Sequence, residues 1–165
     1  MLSRIRRGII STFEPSRYSN NIYIGGSIIV PGGTSYVYKG DNTTSYFVQK
    51  VKDIIAKGYM CFDITFTYQG VAGKAYTGET KFQFRTGSGT EFQYTLDNAR
   101  LSTGEPIYGH MICDISTLSR YYTMNGQEFD RYNIAWQVFG RNQTTNEGSI
   151  TYSNIVIKYL KERSE

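Results

Sequence analysis

Apolar and polar side chains alternate along residues 60–68, and this alternation limits the possible folds more than any other feature of the chain. One set of alternate positions is apolar and consists of Met60, Phe62, Ile64, Phe66 and Tyr68. The intervening set consists of Cys61, Asp63, Thr65 and Thr67. Because successive side chains of a β-strand point to opposite faces of the sheet, a period of two predicts a strand with one buried face.

Similar short segments recur along the chain and are separated by turn residues. Seventeen glycines and a high content of Tyr and Phe fit strands joined by tight turns. Residues 22–30 predict a strand pair or a bulged strand, and the other predicted strands cover residues 35–38, 82–84, 92–96, 109–115, 131–139 and 149–160. About eight strands with regular turns predict an all-β, jelly-roll β-sandwich over residues 21–165.

Residues 45–57 fit two interpretations. Phe47, Val51 and Ile54 belong to an apolar stripe with helical spacing, and Gly58 stands where a helix C-cap glycine would be. The alternative is a strand over residues 45–49 that is followed by a loop. We favour the strand because the segments around it are β.

The N-terminal residues 1–20 differ from the rest and are predicted to form an extended docking arm. They carry four arginines and one glutamate, a charge of +3, which leaves 14 basic and 13 acidic residues, or +1, for the remaining chain. The arm mixes basic and β-branched residues that have no core to join, and the residues predicted to dock are Arg4, Ile5, Arg6, Arg7, Ile9 and Ile10. Such a segment suits strand addition to a partner protein or contact with phosphates.

Several classes of protein are disfavoured by the composition. The nearly neutral body argues against nucleic-acid binding except through the arm. No apolar run is long enough to span a membrane, and the N-terminus lacks the pattern of a signal peptide. Cys61 and Cys113 lie in alternating apolar runs and are interpreted as buried core residues. With a single histidine, they predict no metal site, and we expect no cofactor.

The sequence also predicts no enzyme and no catalytic residue. His110 would need an orienting carboxylate such as Asp114 and a nucleophile, but no nucleophile-elbow sequence is present. We interpret it as a polar residue on the outer face of a strand. No two acidic residues stand out as a pair for glycoside cleavage among Asp63, Glu79, Glu91, Asp97, Asp114, Glu128 and Asp130.

Residues 120–132 combine aromatic, charged and amide side chains in one segment that is predicted to be a loop. This mixture suits a polar ligand such as a glycan, because aromatic rings offer flat apolar faces with polar edges. The residues predicted to contact a glycan are Tyr121, Tyr122, Asn125, Asp130 and Arg131. The competing interpretation, which we favour, is a long crossover whose aromatic rings cap one end of the sandwich.

Residues 57–68 and 148–161 resemble strands of galactose-binding-like jelly rolls. The first has a glycine before an alternating strand, and the second has the step Ser153-Asn154-Ile155 in the last strand. The resemblance covers about residues 40–161. It implies the kind of domain found in carbohydrate-binding modules and in bacteriophage head fibres, tail fibres and other virion appendages. It assigns no ligand-binding residue to a position in this sequence.

Two functional hypotheses follow from the resemblance and the arm. The first is a phage virion structural protein, assembled in the host cytoplasm and docked to capsid, neck or tail proteins through the arm. Its sandwich would be displayed outward as a homotrimer for adhesion to host-surface glycans. The short chain without a secretion signal favours this hypothesis. The alternative is a carbohydrate-binding module that recognises glycans through its loops.

Overall fold

The computed structural model describes residues 18–39, 46–86, 91–117, 121–124, 127–130, 136–144 and 148–160. Within these ranges the strands are β1 (Tyr18–Ile24), β2 (Ile28–Val30), β3 (Thr34–Lys39), β4 (Cys61–Gln69), β5 (Thr80–Thr86), β6 (Glu91–Thr95), β7 (Ile107–Asp114), β8 (Tyr121–Met124), β9 (Gln127–Asp130), β10 (Trp136–Asn142) and β11 (Ile150–Leu160). The helices are α1 (Tyr46–Ala56), α2 (Asn98–Leu101) and a 3-10 turn (Ile115–Thr117).

Two antiparallel sheets contain most of these strands. The first has the order β1-β11-β4-β7, with β2 also paired to β11, and the second has the order β3-β10-β5-β6. The first and last strands, β1 and β11, are therefore neighbours in one sheet, and β3 and the penultimate strand β10 are neighbours in the other. This is the strand order of a jelly roll, so the predicted all-β sandwich is confirmed.

Helix α1 shows that the favoured strand over residues 45–49 was wrong. Val51, Ile54 and Ile55 are buried on one side of the helix, whose last turn is followed by Gly58 with a φ of 92°. The amide of Gly58 donates to the carbonyl of Ile55 at 2.9 Å, which closes the helix end. The helical spacing and this glycine therefore outweigh the β character of the surrounding sequence.

Aromatic side chains join the two sheets. The rings of Phe66 on β4 and Phe82 on β5 stack with centroids 4.0 Å apart. Phe84 on β5 contacts Phe62 on β4 at 5.5 Å and Trp136 on β10 at 5.2 Å. All five side chains are almost completely buried, so the alternating apolar residues of β4 form the core, as predicted.

Both cysteines are buried and free, as expected for core residues. Burial raises the pKa of the Cys113 thiol well above its usual value, and the neighbouring Cys61 and Asp63 act in the same direction. Burial likewise raises the pKa of Tyr152, whose hydroxyl donates to the carbonyl of Lys81 on the opposite sheet at 2.9 Å. Both groups therefore stay protonated at neutral pH.

The remaining predictions on chain organisation have mixed outcomes. The segment 22–30, predicted as a strand pair or a bulged strand, contains the end of β1 and all of β2, and each of these strands pairs with β11 rather than with the other. Strand β1 begins at Tyr18, and residues 1–17 lie outside the described residues. The segment 120–132, predicted as a loop, contains the antiparallel hairpin β8–β9. None of the described helices has the length and hydropathy of a membrane span.

Gly140 lies within β10 at a position where any larger side chain is expected to collide with the core. A Cβ atom there would lie 2.6 Å from the ring of Tyr152 and 2.6 Å from a methyl group of Val30, both of which are fully buried. Gly140→Ala should therefore lower the free energy of unfolding by about 1–3 kcal/mol, measured by urea denaturation. Gly25→Ala is the control, because a Cβ atom at Gly25 meets nothing within 4 Å. Equal stability of the two variants would contradict this packing.

Candidate functional site: the outer face of the β1-β11-β4-β7 sheet

Polar and aromatic side chains cover the face of the β1-β11-β4-β7 sheet that points away from the core. Alternation fixes this composition, since every second residue of each strand is committed to the core. We call this surface the outer sheet face and define it by Asn21, Tyr23, Asp63, Thr65, Thr67, Tyr108, His110, Ile112, Ser153, Asn154, Val156 and Lys158.

Tyr23 forms an aromatic platform at one edge of this face. Its side chain is 71% exposed, and its hydroxyl accepts a hydrogen bond from the Asn21 amide at 2.9 Å. Residues two apart on a strand stand about 7 Å apart when their side chains are upright. The contact therefore requires the Tyr23 ring to lean along the strand toward Asn21. Most of the ring surface is therefore open to solvent.

Tyr108 lies at the opposite edge of the outer sheet face, on β7. Its side chain is 68% exposed. Between the two tyrosines, Thr65 and Thr67 on β4 and Val156 on β11 are half-buried, whereas Asn154 and Lys158 on β11 are exposed. One face of the sheet therefore carries an exposed tyrosine at each edge, with polar side chains between them.

His110 and Asp63 form a polar pair within this face. Nε2 of His110 lies 2.6 Å from Oδ1 of Asp63, and the two side chains are diagonal neighbours on β7 and β4. The sequence had suggested Asp114 as the carboxylate beside His110. Asp114 instead accepts a hydrogen bond from the Ser116 amide at 3.0 Å, so its carboxylate caps the 3-10 turn. The prediction that His110 lies on the outer face of a strand is confirmed.

A β-bulge adds an exposed amide to the centre of the same face. The register of β11 against β4 shifts between Ser153 and Val156, which inserts one extra residue. Asn154, within the bulge, is exposed and has a φ of 50°, the one positive φ among the described non-glycine residues. Asparagine tolerates this left-handed backbone better than most residues. Because strained positions and bulges cluster at functional sites, this residue supports the assignment of the site.

On the central strands β5 and β10 of the other sheet, the outward side chains are less accessible. Gln83, Gln137 and Phe139 alternate with core residues on β5 and β10, yet each is buried. The guanidinium of Arg85 lies over the Phe139 ring, 5.1 Å from its centre. These side chains are therefore not available at the surface, whereas those of the outer sheet face are.

Four of the acidic residues that sequence reasoning considered have a structural partner, namely Asp63, Glu79, Asp97 and Asp114. Glu79 pairs with Lys81 and, at 3.2 Å, with Arg141. The hydrogen bond from Lys81 holds the pKa of Glu79 below its usual value. Asp97 caps helix α2 by accepting from the Arg100 amide at 3.1 Å. The part of the chain described here contains no cluster of His, Cys, Asp or Glu placed to hold a metal ion.

The residues predicted for docking and glycan contact remain untested predictions. Arg4, Ile5, Arg6, Arg7, Ile9 and Ile10 lie outside the described residues, as do Asn125 and Arg131. The backbones of Tyr121, Tyr122 and Asp130 belong to the hairpin β8–β9, where Tyr121 stands opposite Asp130.

Sequence reasoning did not single out Tyr23, Tyr108 or Asn154. A signal was present for Tyr23, because Ile22 and Ile24 flank it in an alternating run and commit it to the opposite face. For Asn154, the sequence step Ser153-Asn154-Ile155 is visible, but it does not indicate the β-bulge that these residues form. No local signal showed that the edges of one face would hold both tyrosines.

No protein-family model and no curated protein matches the sequence. Among solved structures, the chain is similar to the arabinose-bound MgGH51 α-L-arabinofuranosidase, with 8% identity and a TM-score of 0.47 over 84% of this chain and 23% of that chain. It is also similar to the family 11 carbohydrate-binding module of the cellulosomal cellulase Lic26A-Cel5E of Clostridium thermocellum, with 14% identity and a TM-score of 0.34 over 86% of each chain.

The chain thus spans less than a quarter of the arabinofuranosidase. Likenesses this distant carry no conclusion about function, and the assignment of the fold rests on the strand order. Neither likeness bears on the virion hypothesis, which stays a prediction.

At Asn154, substitution by alanine and substitution by glycine should affect stability differently. Asn154→Ala is expected to lower the free energy of unfolding by about 1 kcal/mol, because alanine lacks the polar side chain whose local hydrogen bonding lets asparagine adopt the left-handed backbone. Asn154→Gly should leave it unchanged or raise it, since glycine adopts a positive φ without steric cost. Urea denaturation measures both. A greater loss for glycine than for alanine would show that the side chain, not the backbone, stabilises the bulge.

Proposed function

We propose that this chain is a non-enzymatic carbohydrate-binding domain and that the outer sheet face is its binding surface. The observation that carries the proposal is the exposed Tyr23 ring, which is held along the strand by Asn21. A sugar ring has an apolar face of C–H groups and a rim of hydroxyl groups. A flat, exposed tyrosine complements the first, and hydrogen-bonding side chains beside it complement the second.

The neighbours of Tyr23 supply such hydrogen-bonding groups. Lys158 stands beside Asn21 in the sheet register, and Asp63 stands beside Lys158. The amide of Asn154 offers both a donor and an acceptor from the bulge, and His110 offers a ring nitrogen. Sugar hydroxyls both donate and accept, so this mixture suits a polyhydroxylated ligand.

Tyr23→Ala is expected to weaken glycan binding about tenfold, a loss of about 1.4 kcal/mol, because the stacking surface is removed. The purified chain would first be screened on a glycan array, and the strongest hit would then be titrated calorimetrically with wild type and variant. Since Tyr23 is exposed, the variant should keep the urea midpoint of the wild type.

Val71→Ala is the matched control, because Val71 is also an exposed apolar residue but lies on the loop after β4. It should bind as the wild type does. Absence of binding to every glycan on the array would contradict the proposed function. Binding that Tyr23→Ala leaves unchanged would contradict its assignment to the outer sheet face.

A second candidate is the virion structural protein of a phage, and the basic arm favours it. Arg4, Arg6 and Arg7 concentrate positive charge in a segment that precedes β1. In this hypothesis the arm docks to a capsid, neck or tail protein, and the sandwich is displayed as a homotrimer for adhesion.

Deletion of residues 1–17 tests this second candidate without shortening β1, which begins at Tyr18. The arm hypothesis predicts that the truncated chain is lost from purified particles while its glycan binding is unchanged. Light scattering of the full-length chain should give the mass of a trimer. Incorporation at the wild-type level after the deletion would contradict docking through the arm.

A further inference from the structure

We propose that the outer sheet face binds an oligosaccharide that lies across the strands, from Tyr23 to Tyr108, and that a trisaccharide or longer chain is needed for full affinity. This inference rests on the proposed function and specifies its ligand as an extended glycan segment rather than a single terminal sugar.

The separation of the two tyrosines excludes simultaneous contact with one sugar. Tyr23 lies on β1 and Tyr108 on β7, and β11 and β4 lie between them. Three inter-strand spacings place them about 14 Å apart across the sheet. The two tyrosines are also offset along the strand direction. The residue of β7 directly in line with Tyr23 is His110, which lies two residues after Tyr108. This distance exceeds the width of a sugar ring, so both rings can be contacted only by linked sugars.

The positions of the two tyrosines set the direction of the glycan. Tyr23 and Tyr108 are exposed on the two outer strands, whereas Thr65, Thr67 and Val156 on the inner strands are only partly exposed. A glycan parallel to the strands would contact one tyrosine and leave the other unused. A glycan across the strands contacts both tyrosines and passes over the inner strands, where Asn154 is exposed on β11.

Polar groups between the two tyrosines suit the middle of such a glycan. The exposed amide of Asn154 rises from the bulge on β11, close in register to Tyr23. The His110–Asp63 pair lies on the β7 side, with its hydrogen bond of 2.6 Å fixing both side chains. Because the His110–Asp63 pair is held before a ligand arrives, contact with it costs little side-chain entropy.

Titrations with gluco-, manno- and chito-oligosaccharides, each from mono- to hexasaccharide, test this arrangement by calorimetry. In the series that binds, affinity should rise from monosaccharide to trisaccharide or beyond and then level off. Tyr108→Ala should weaken binding of the hexasaccharide about tenfold and bring its affinity toward that of the disaccharide. Val71→Ala is again the control, since Val71 is an exposed apolar residue on the loop after β4 and lies outside the outer sheet face. It should bind every probe as the wild type does.

The outcomes separate this inference from the proposed function. A monosaccharide that binds as tightly as the hexasaccharide would overturn the extended site while leaving carbohydrate binding in place. A hexasaccharide affinity that falls with Tyr23→Ala but not with Tyr108→Ala would do the same. Failure of every oligosaccharide and every array glycan to bind would overturn the proposed function and this inference with it. Circular dichroism and urea midpoints equal to those of the wild type ensure that each variant is folded.

Discussion

The stack of aromatic rings between the two sheets is the interaction on which the rest of this structure depends. The rings of Phe66 on β4 and Phe82 on β5, which belong to opposite sheets, stack with their centroids 4.0 Å apart. Phe62, Phe84 and Trp136 extend the same cluster. Large rings bury much apolar area for each residue ordered, which is the dominant favourable contribution to folding. Because these rings are buried between the sheets, the side chains on the opposite face of each strand point away from the core.

The character of the outer sheet face follows from that commitment. On β4 the residues that alternate with the core side chains are Asp63, Thr65 and Thr67, so the middle of the face is polar. The edge strands place tyrosines outward at the two edges, where no neighbouring strand covers them among the residues described here. A polar face with an exposed tyrosine at each edge thus arises from strand order and alternation.

Local features then refine this face. The Asn21–Tyr23 hydrogen bond turns an exposed ring into a platform, and the bulge at Asn154 raises an amide in the centre. The diagonal contact of His110 with Asp63 fixes two further polar groups. Each of these is a short-range contact, yet each depends on a scaffold that holds the strands in one register. Carbohydrate recognition suits such a surface, since a glycan offers an apolar face and a hydroxyl rim to the same side chains.

The sequence by itself determined the features that depend on neighbouring residues. The period of two along β4 revealed the strand and its buried face, and the apolar runs around Cys61 and Cys113 revealed two buried thiols. The sequence also contained the helical stripe and Gly58 of α1, although the β context made the strand appear more favourable. Tertiary structure alone decided which distant residues meet. Asp63 reaches His110, 47 positions away, because β4 pairs with β7 in one register. Tyr23 and Tyr108 share one face because β11 and β4 lie between their strands. Alternation is a local property of the chain, but pairing across a sheet depends on how the whole core packs, which no single segment encodes.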